Sequence, residues 1–106
     1  MTDTILTNAD IDKLTLTQIL KSLSDPTRLE IVSTLFKENQ ECSCGIFSDL
    51  GKKSNLSQHY RNLRLNGLIS IRRSSVHSYL TLRQEELNQR FPLLLQTIVF
   101  DYQSGN

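Results

Sequence analysis

The chain has 106 residues, 38% hydrophobic and 22% charged, with a formal net charge of +1. That length suits one domain, able to bury roughly two-thirds of its unfolded surface without disulfide staples. It contains no apolar run of about 18 residues, which argues against a membrane-spanning helix. Residues 1–10 have neither the basic nor the apolar stretch of a secretory signal, so a cytoplasmic location is expected.

The predicted elements follow in chain order. Residues 1–8 are expected to be frayed. From about Asp10, the positions Ile11, Leu14, Leu16, Ile19, Leu20 and Leu23 recur at roughly helical spacing and predict a first helix. Asp25-Pro26 marks the next helix start: Asp25 can cap, and Pro26 fits the first position, where no amide partner is needed. Leu29, Val32, Leu35 and Phe36 form its buried stripe, and Asn39-Gln40-Glu41 ends it. A short helix is predicted from about Ser43 to Leu50, with Gly51 as a left-handed stop. Ser54 is the predicted N-cap of the helix after that. Its inner stripe is Leu56, Tyr60 and Leu63, extended to Leu65, it ends at Asn66-Gly67, and Asn55, Ser57, Gln58, Arg61 and Asn62 face outward. Leu68–Arg73 and His77–Leu82 predict a hairpin around Ser74-Ser75-Val76. Gln84–Tyr102 is predicted helical, interrupted at Phe91-Pro92, with Pro92 starting the second stretch. The fold class is therefore mainly α with a small β-hairpin. Two closely linked helices before the hairpin make one winged helix-turn-helix domain over residues 1–106.

The near-neutral net charge conceals a segregation. Residues 51–83 carry seven of the 12 basic residues and none of the 11 acidic ones. The seven are Lys52, Lys53, Arg61, Arg64, Arg72, Arg73 and Arg83. A one-signed basic block built around an amphipathic helix is the electrostatic footprint of a nucleic-acid reader. A helix fits the major groove of B-DNA, and the first turns of a recognition helix reach base edges. Gln58 can pair with adenine through two hydrogen bonds, and Ser54, Asn55 and Ser57 lie beside it. Lys52, Lys53 and Arg61 are expected on phosphates, which position a protein without reading sequence. Arg72 and Arg73 near the hairpin tip are expected on phosphates or in an adjacent minor groove. His59 is expected as a DNA contact or a cap, and His77 as a surface or phosphate contact.

Leu23-Ser-Asp-Pro-Thr-Arg-Leu-Glu-Ile-Val32 resembles the opening helix signature of the ArsR family of winged-helix transcriptional repressors. Lys53-Ser-Asn-Leu-Ser-Gln-His59 with Leu63-Arg-Leu-Asn-Gly-Leu68 resembles that family's recognition helix. The resemblance covers about residues 16–100. Cys44–Phe47 and Leu82–Leu94 look like a branch without an evident complete metal site. The turn from Gly51 to Lys53 is one residue shorter than the usual family turn. The resemblance implies a homodimer, built largely from the first and last helices, on an imperfect inverted repeat of double-stranded DNA. It also places Ser54, Ser57, Gln58 and His59 at DNA-touching positions.

The last helix carries more apolar residues than one buried face needs, which predicts a self-association face. Ile11, Leu14, Phe91, Leu94, Leu95, Ile98 and Val99 are the expected dimer contacts. Cys42-Ser-Cys44 falls where some members of the family hold thiophilic metals or arsenite. Two soft ligands fall short of the four that zinc wants, and the chain has no third Cys. Packing of two small residues, a metal or metalloid sensor and a thiol redox switch all remain open for this pair. A winged-helix module that binds protein rather than DNA is a further alternative. No phosphate-binding glycine loop or nucleophile motif occurs, so no enzyme and no cofactor are expected.

Overall fold

The computed structural model describes residues 3–105. The chain runs β1 (Thr4–Ile5), α1 (Leu16–Leu23), α2 (Pro26–Glu38), β2 (Cys42–Ser43), α3 (Lys53–Leu65), β3 (Ile69–Ser74), β4 (His77–Leu82), α4 (Gln84–Arg90) and α5 (Leu94–Gln103). Short 3-10 helices, Ile11–Lys13 and Cys44–Leu50, precede α1 and α3. The four strands form one antiparallel sheet in the order β1-β3-β4-β2, with the β3–β4 hairpin at its centre.

Helix α2 is the axis of the core. Ile31 and Val32 are fully buried and Leu35 nearly so, and they meet Leu63 from α3, Leu80 from β4 and Val99 from α5. Truncating such a core leucine to alanine costs about 2–5 kcal/mol, through lost transfer energy and the cavity left behind. Phe36 and Phe100 add an edge-to-face contact between α2 and α5, with ring centroids 6.0 Å apart. The predicted start of α2 holds: the Asp25 carboxylate accepts the Arg28 amide at 3.0 Å, and Pro26 occupies the first helical turn.

Several boundaries differ from the predictions. The first helix does not begin near Asp10. Thr15 and Gln18 form a reciprocal capping box that starts α1 at Leu16, and only a 3-10 turn precedes it. Of the N-terminal stretch predicted to be frayed, residues 1 and 2 lie outside the described residues, and Thr4–Ile5 instead form β1. It pairs Thr4 with Arg73 and Ile5 with Arg72, and the Leu6 amide donates to the Ile71 carbonyl at 3.0 Å. The predicted short helix over Ser43–Leu50 is a 3-10 helix entered from the strand Cys42–Ser43. Gly51 is no left-handed helical stop: at φ 154° and ψ −173° it lies in a region open essentially to glycine alone. Ser54 does not cap α3; the helix already runs from Lys53, and Lys52 stands at the N-cap without a side-chain hydrogen bond. Pro92 does not start α5. Leu93, at φ 64°, turns the chain left-handed first, and its amide donates to Asn88 at 3.1 Å.

Three expected dimer contacts have no surface to offer a partner. Leu14, Leu95 and Val99 are buried within the protomer, because the chain needs them to close its own core beneath α1 and α2. Ile11, Phe91, Leu94 and Ile98 are partly buried. The exposed apolar side chains nearby are Leu16 and Leu20 on α1, Leu93 before α5 and Phe100 on it.

Candidate nucleic-acid interface

Helix α3 rests its Leu56 and Leu63 on the core and leaves Lys53, Ser54, Asn55, Ser57, Gln58 and Arg61 exposed. Its first-turn amides have no partner within the helix, and no side chain caps them, so they add positive potential beside Lys52 and Lys53. Between α3 and the hairpin lies an open cleft of about 640 Å³. Ser57, Gln58, Arg61, Arg64, Arg73 and His77 line it, and among the described residues no Asp or Glu does. Tyr60 closes its floor, with its hydroxyl donating to the Cys44 carbonyl at 3.4 Å. Burial pushes the Tyr60 phenol up to about 12, so it stays a neutral donor.

The seven basic residues of the block divide into two sets. Three of its arginines are held by the chain's own N-terminal segment and by carboxylates. Arg64 donates to the Thr7 carbonyl at 2.8 Å. Arg72 grips Glu41 through two hydrogen bonds of 3.0 and 2.8 Å, also pairs with Asp3, and stacks over the Tyr79 ring at 4.4 Å. Arg83 is 7% exposed and bonds both Glu86 and the Ala9 carbonyl. Among the described residues, Lys52, Lys53, Arg61 and Arg73 have no carboxylate partner. These four, all exposed, are the charges facing solvent.

The Arg72 cluster shifts its carboxylates. Hydrogen bonds from Ser74 and from Arg72 hold Asp3 below the usual carboxylate range. The Arg72 hydrogen bond does the same for Glu41 against a smaller desolvation effect, and the two carboxylates push the Arg72 guanidinium up in return.

Both histidines are placed differently from one another. His77 is exposed at the start of β4 and lines the cleft. His59 turns toward α2, with Nδ1 at 3.2 Å from Arg28 Nη1 and 3.8 Å from Asp25 Oδ2. Sequence reasoning missed Arg64 in the cleft. Its spacing of three from Arg61 was the available signal, because residues three apart share a helix face.

Cys42 is buried in β2, and its thiol donates weakly to the Gln40 carbonyl at 3.4 Å. Cys44 is half-buried at the start of the 3-10 helix. Burial, then the charges of Glu38 and Glu41, push the Cys42 thiol up, which disfavours the thiolate that metal binding or oxidation needs. Among the described residues no cluster of three His, Cys, Asp or Glu could hold a metal ion.

An exposed polar and basic helix beside a cleft and a β-hairpin is the arrangement of a winged helix-turn-helix fold. The family model described as "Bacterial regulatory protein, arsR family" matches residues 25–70, the stretch from the α2 cap through α3 into β3. A Bacillus subtilis (strain 168) protein named "Uncharacterized HTH-type transcriptional regulator YceK" is 37% identical over 86 residues, covering 76% of this chain and 83% of that protein. The chain belongs to the ArsR family of bacterial regulatory proteins. The fold is also similar to that of a solved structure, "Reduced HlyU from Vibrio cholerae N16961". It is 27% identical with a TM-score of 0.66 and covers 81% of this chain and 86% of that one. This ArsR-family protein is a DNA-binding transcriptional regulator and not an enzyme. No helix among its described residues is long and apolar enough to cross a membrane.

Proposed function

We propose that this regulator is a homodimeric repressor that binds an inverted repeat in double-stranded DNA. The acid-free cleft between α3 and the wing carries this reading, because it presents Ser57, Gln58 and Arg61 together beside Arg73 and His77. Each α3 enters a major groove of one half-site, the two about one helical turn apart, with the wings alongside. Gln58, with Ser54, Asn55 and Ser57, reads base edges; Lys52, Lys53, Arg61 and Arg73 hold phosphates, and His77 lies against the backbone. Arg72 stays with Glu41 and Asp3 and contributes no phosphate contact.

Self-association falls to the apolar side chains the protomer leaves uncovered, Leu16, Leu20, Leu93 and Phe100, flanked by the partly buried Leu94 and Ile98. Leucines four apart on α1 form a continuous strip, and such strips mark interfaces. Release of the operator through the cysteines has the raised Cys42 thiol against it.

Fluorescence anisotropy on DNA upstream of the protein's own coding sequence, against a scrambled duplex, tests the reading. The wild type is expected to prefer the upstream duplex, and a Gln58→Ala, Arg61→Ala double variant to lose that preference. Equal binding of both duplexes by the wild type refutes sequence-specific regulation from that site. Sedimentation of Leu20→Glu checks the interface: a shift from dimer to monomer is expected, and an unshifted dimer refutes the α1 strip.

A further inference from the structure

Besides its apolar stripe, α3 sends polar side chains inward to the α1–α2 junction. Ser22, 2% exposed, stands at the centre. Its carbonyl belongs to the last turn of α1, where intrahelical partners run out, and Arg28 Nε donates to it at 2.7 Å. Its hydroxyl donates to Asn62 Oδ1 at 2.7 Å. One residue of α1 thereby bonds both α2 and α3. Asn66 Nδ2 donates to the Asn62 carbonyl at 2.9 Å and to Asn62 Oδ1 at 3.3 Å, which orients the amide that Ser22 meets. A second link runs from Arg28 Nη1 to His59 Nδ1 at 3.2 Å. Arg28 is itself fixed by the Asp25 cap, whose carboxylate accepts its amide at 3.0 Å.

We infer that Ser22, Arg28, His59 and Asn62 form a latch that sets the roll of α3 against α1 and α2, and with it the fit of the reading face to the groove. The inference rests on the DNA-reading function proposed above and names the positioning residues of that same site. Leu56 and Leu63 hold α3 at its distance from the core, but dispersion contacts are non-directional and tolerate small rotations. Hydrogen bonds of 2.7–3.2 Å tolerate far less, since they weaken steeply with angle and length. Two links, at positions 59 and 62, lie three residues apart on one face of α3, so together they resist rotation about the helix axis. His59 thus positions its neighbour Gln58 instead of reading bases itself. Ser22 also lies two residues beyond Leu20 of the proposed dimer strip, so the latch ties the helix that joins the two protomers to the helix that reads DNA.

The test is a double-mutant cycle of Ser22→Ala and Asn62→Ala, read as anisotropy on the upstream and scrambled duplexes, with thermal unfolding and hydrogen exchange of the same samples. Each single variant is expected to lose about five- to tenfold in affinity for the upstream duplex, with the scrambled duplex unchanged. The double variant should lose no more than either single one, because the two side chains form one link. His59→Gln, which keeps an acceptor for Arg28, is expected to retain selectivity where His59→Leu does not. Unchanged selectivity in both single variants, losses that multiply in the double variant, or an equal fall on both duplexes overturns the latch. A wild type that fails to distinguish the duplexes sinks the DNA-reading function instead. The latch then stands or falls on exchange alone: Ser22→Ala must speed amide exchange over residues 57–65 relative to α2, and equal protection overturns it.

Discussion

The guanidinium of Arg72 meets the Glu41 carboxylate in a two-pronged pair, Nε to Oε2 at 3.0 Å and Nη2 to Oε1 at 2.8 Å. Asp3 takes a third nitrogen of the same group, and Tyr79 covers its face. A residue that lies in a basic block along the sequence is electrically neutralised in space, while its neighbour Arg73 remains exposed.

That difference between adjacent arginines predicts a difference in salt dependence. Each phosphate contact contributes about 0.9 to the slope of log affinity against log salt. Arg61→Ala and Arg73→Ala are therefore expected to flatten the slope, while Arg72→Ala leaves it unchanged. Anisotropy titrations across a salt series measure this. A flatter slope for Arg72→Ala would show that DNA draws the arginine away from Glu41 and Asp3.

Acid should loosen the same cluster. Asp3 and Glu41 are held below their ordinary values of 3.8 and 4.5 by the hydrogen bonds of Ser74 and Arg72. A carboxyl group whose folded value is depressed stabilises the fold above its unfolded value, and that contribution is lost as pH falls through the folded one. Asp25 behaves alike: burial raises it, but the hydrogen bond from the Arg28 amide and the neighbouring positive charge outweigh that. Thermal unfolding is expected to be level above about pH 5 and to fall below it, less steeply in a Glu41→Gln variant.

Gly67 admits no side chain. A Cβ built there would stand 2.1 Å from Leu14 Cδ1, and its φ of 77° is left-handed. Leu14 is buried, so its methyl can yield only by repacking within the core. Gly67→Ala is expected to cost about 2–4 kcal/mol, combining backbone strain with overpacking. Urea unfolding with an unchanged m-value checks this. A loss below about 1 kcal/mol would mean that the segment carrying Leu14 yields instead.

The two thiols should react at different rates. Cys42 is buried with its thiol pushed up, whereas Cys44 is half-buried beside the cleft. A colorimetric thiol reagent is expected to label Cys44 first and Cys42 only on unfolding. Simultaneous labelling of both would show that β2 opens readily. A Cys42→Ser, Cys44→Ser variant should bind the upstream duplex like the wild type, and a lost response to an added metal would make the pair a sensor after all.

The sequence by itself determined the elements whose causes are short-range. The Asp25-Pro26 start of α2, the stripe of Leu56, Tyr60 and Leu63 on α3 (Leu65, expected on it, is exposed), and the hairpin from residue 69 to 82 each depend on neighbours within a few positions. For the same reason the family and the exposed polar face of α3 were legible in it. The tertiary structure decided which charges are free and which apolar residues are covered. Arg64, Arg72 and Arg83 are taken up by Thr7, Asp3 and Ala9, partners 57, 69 and 74 residues away. Strand β1 exists only because β3 offers it an edge, since two residues have no intrinsic reason to extend. Leu14, Leu95 and Val99 read as dimer contacts until the packing of the core is known. Charge pairing and burial are set by distances in space, and those depend on the closure of loops that no local pattern encodes.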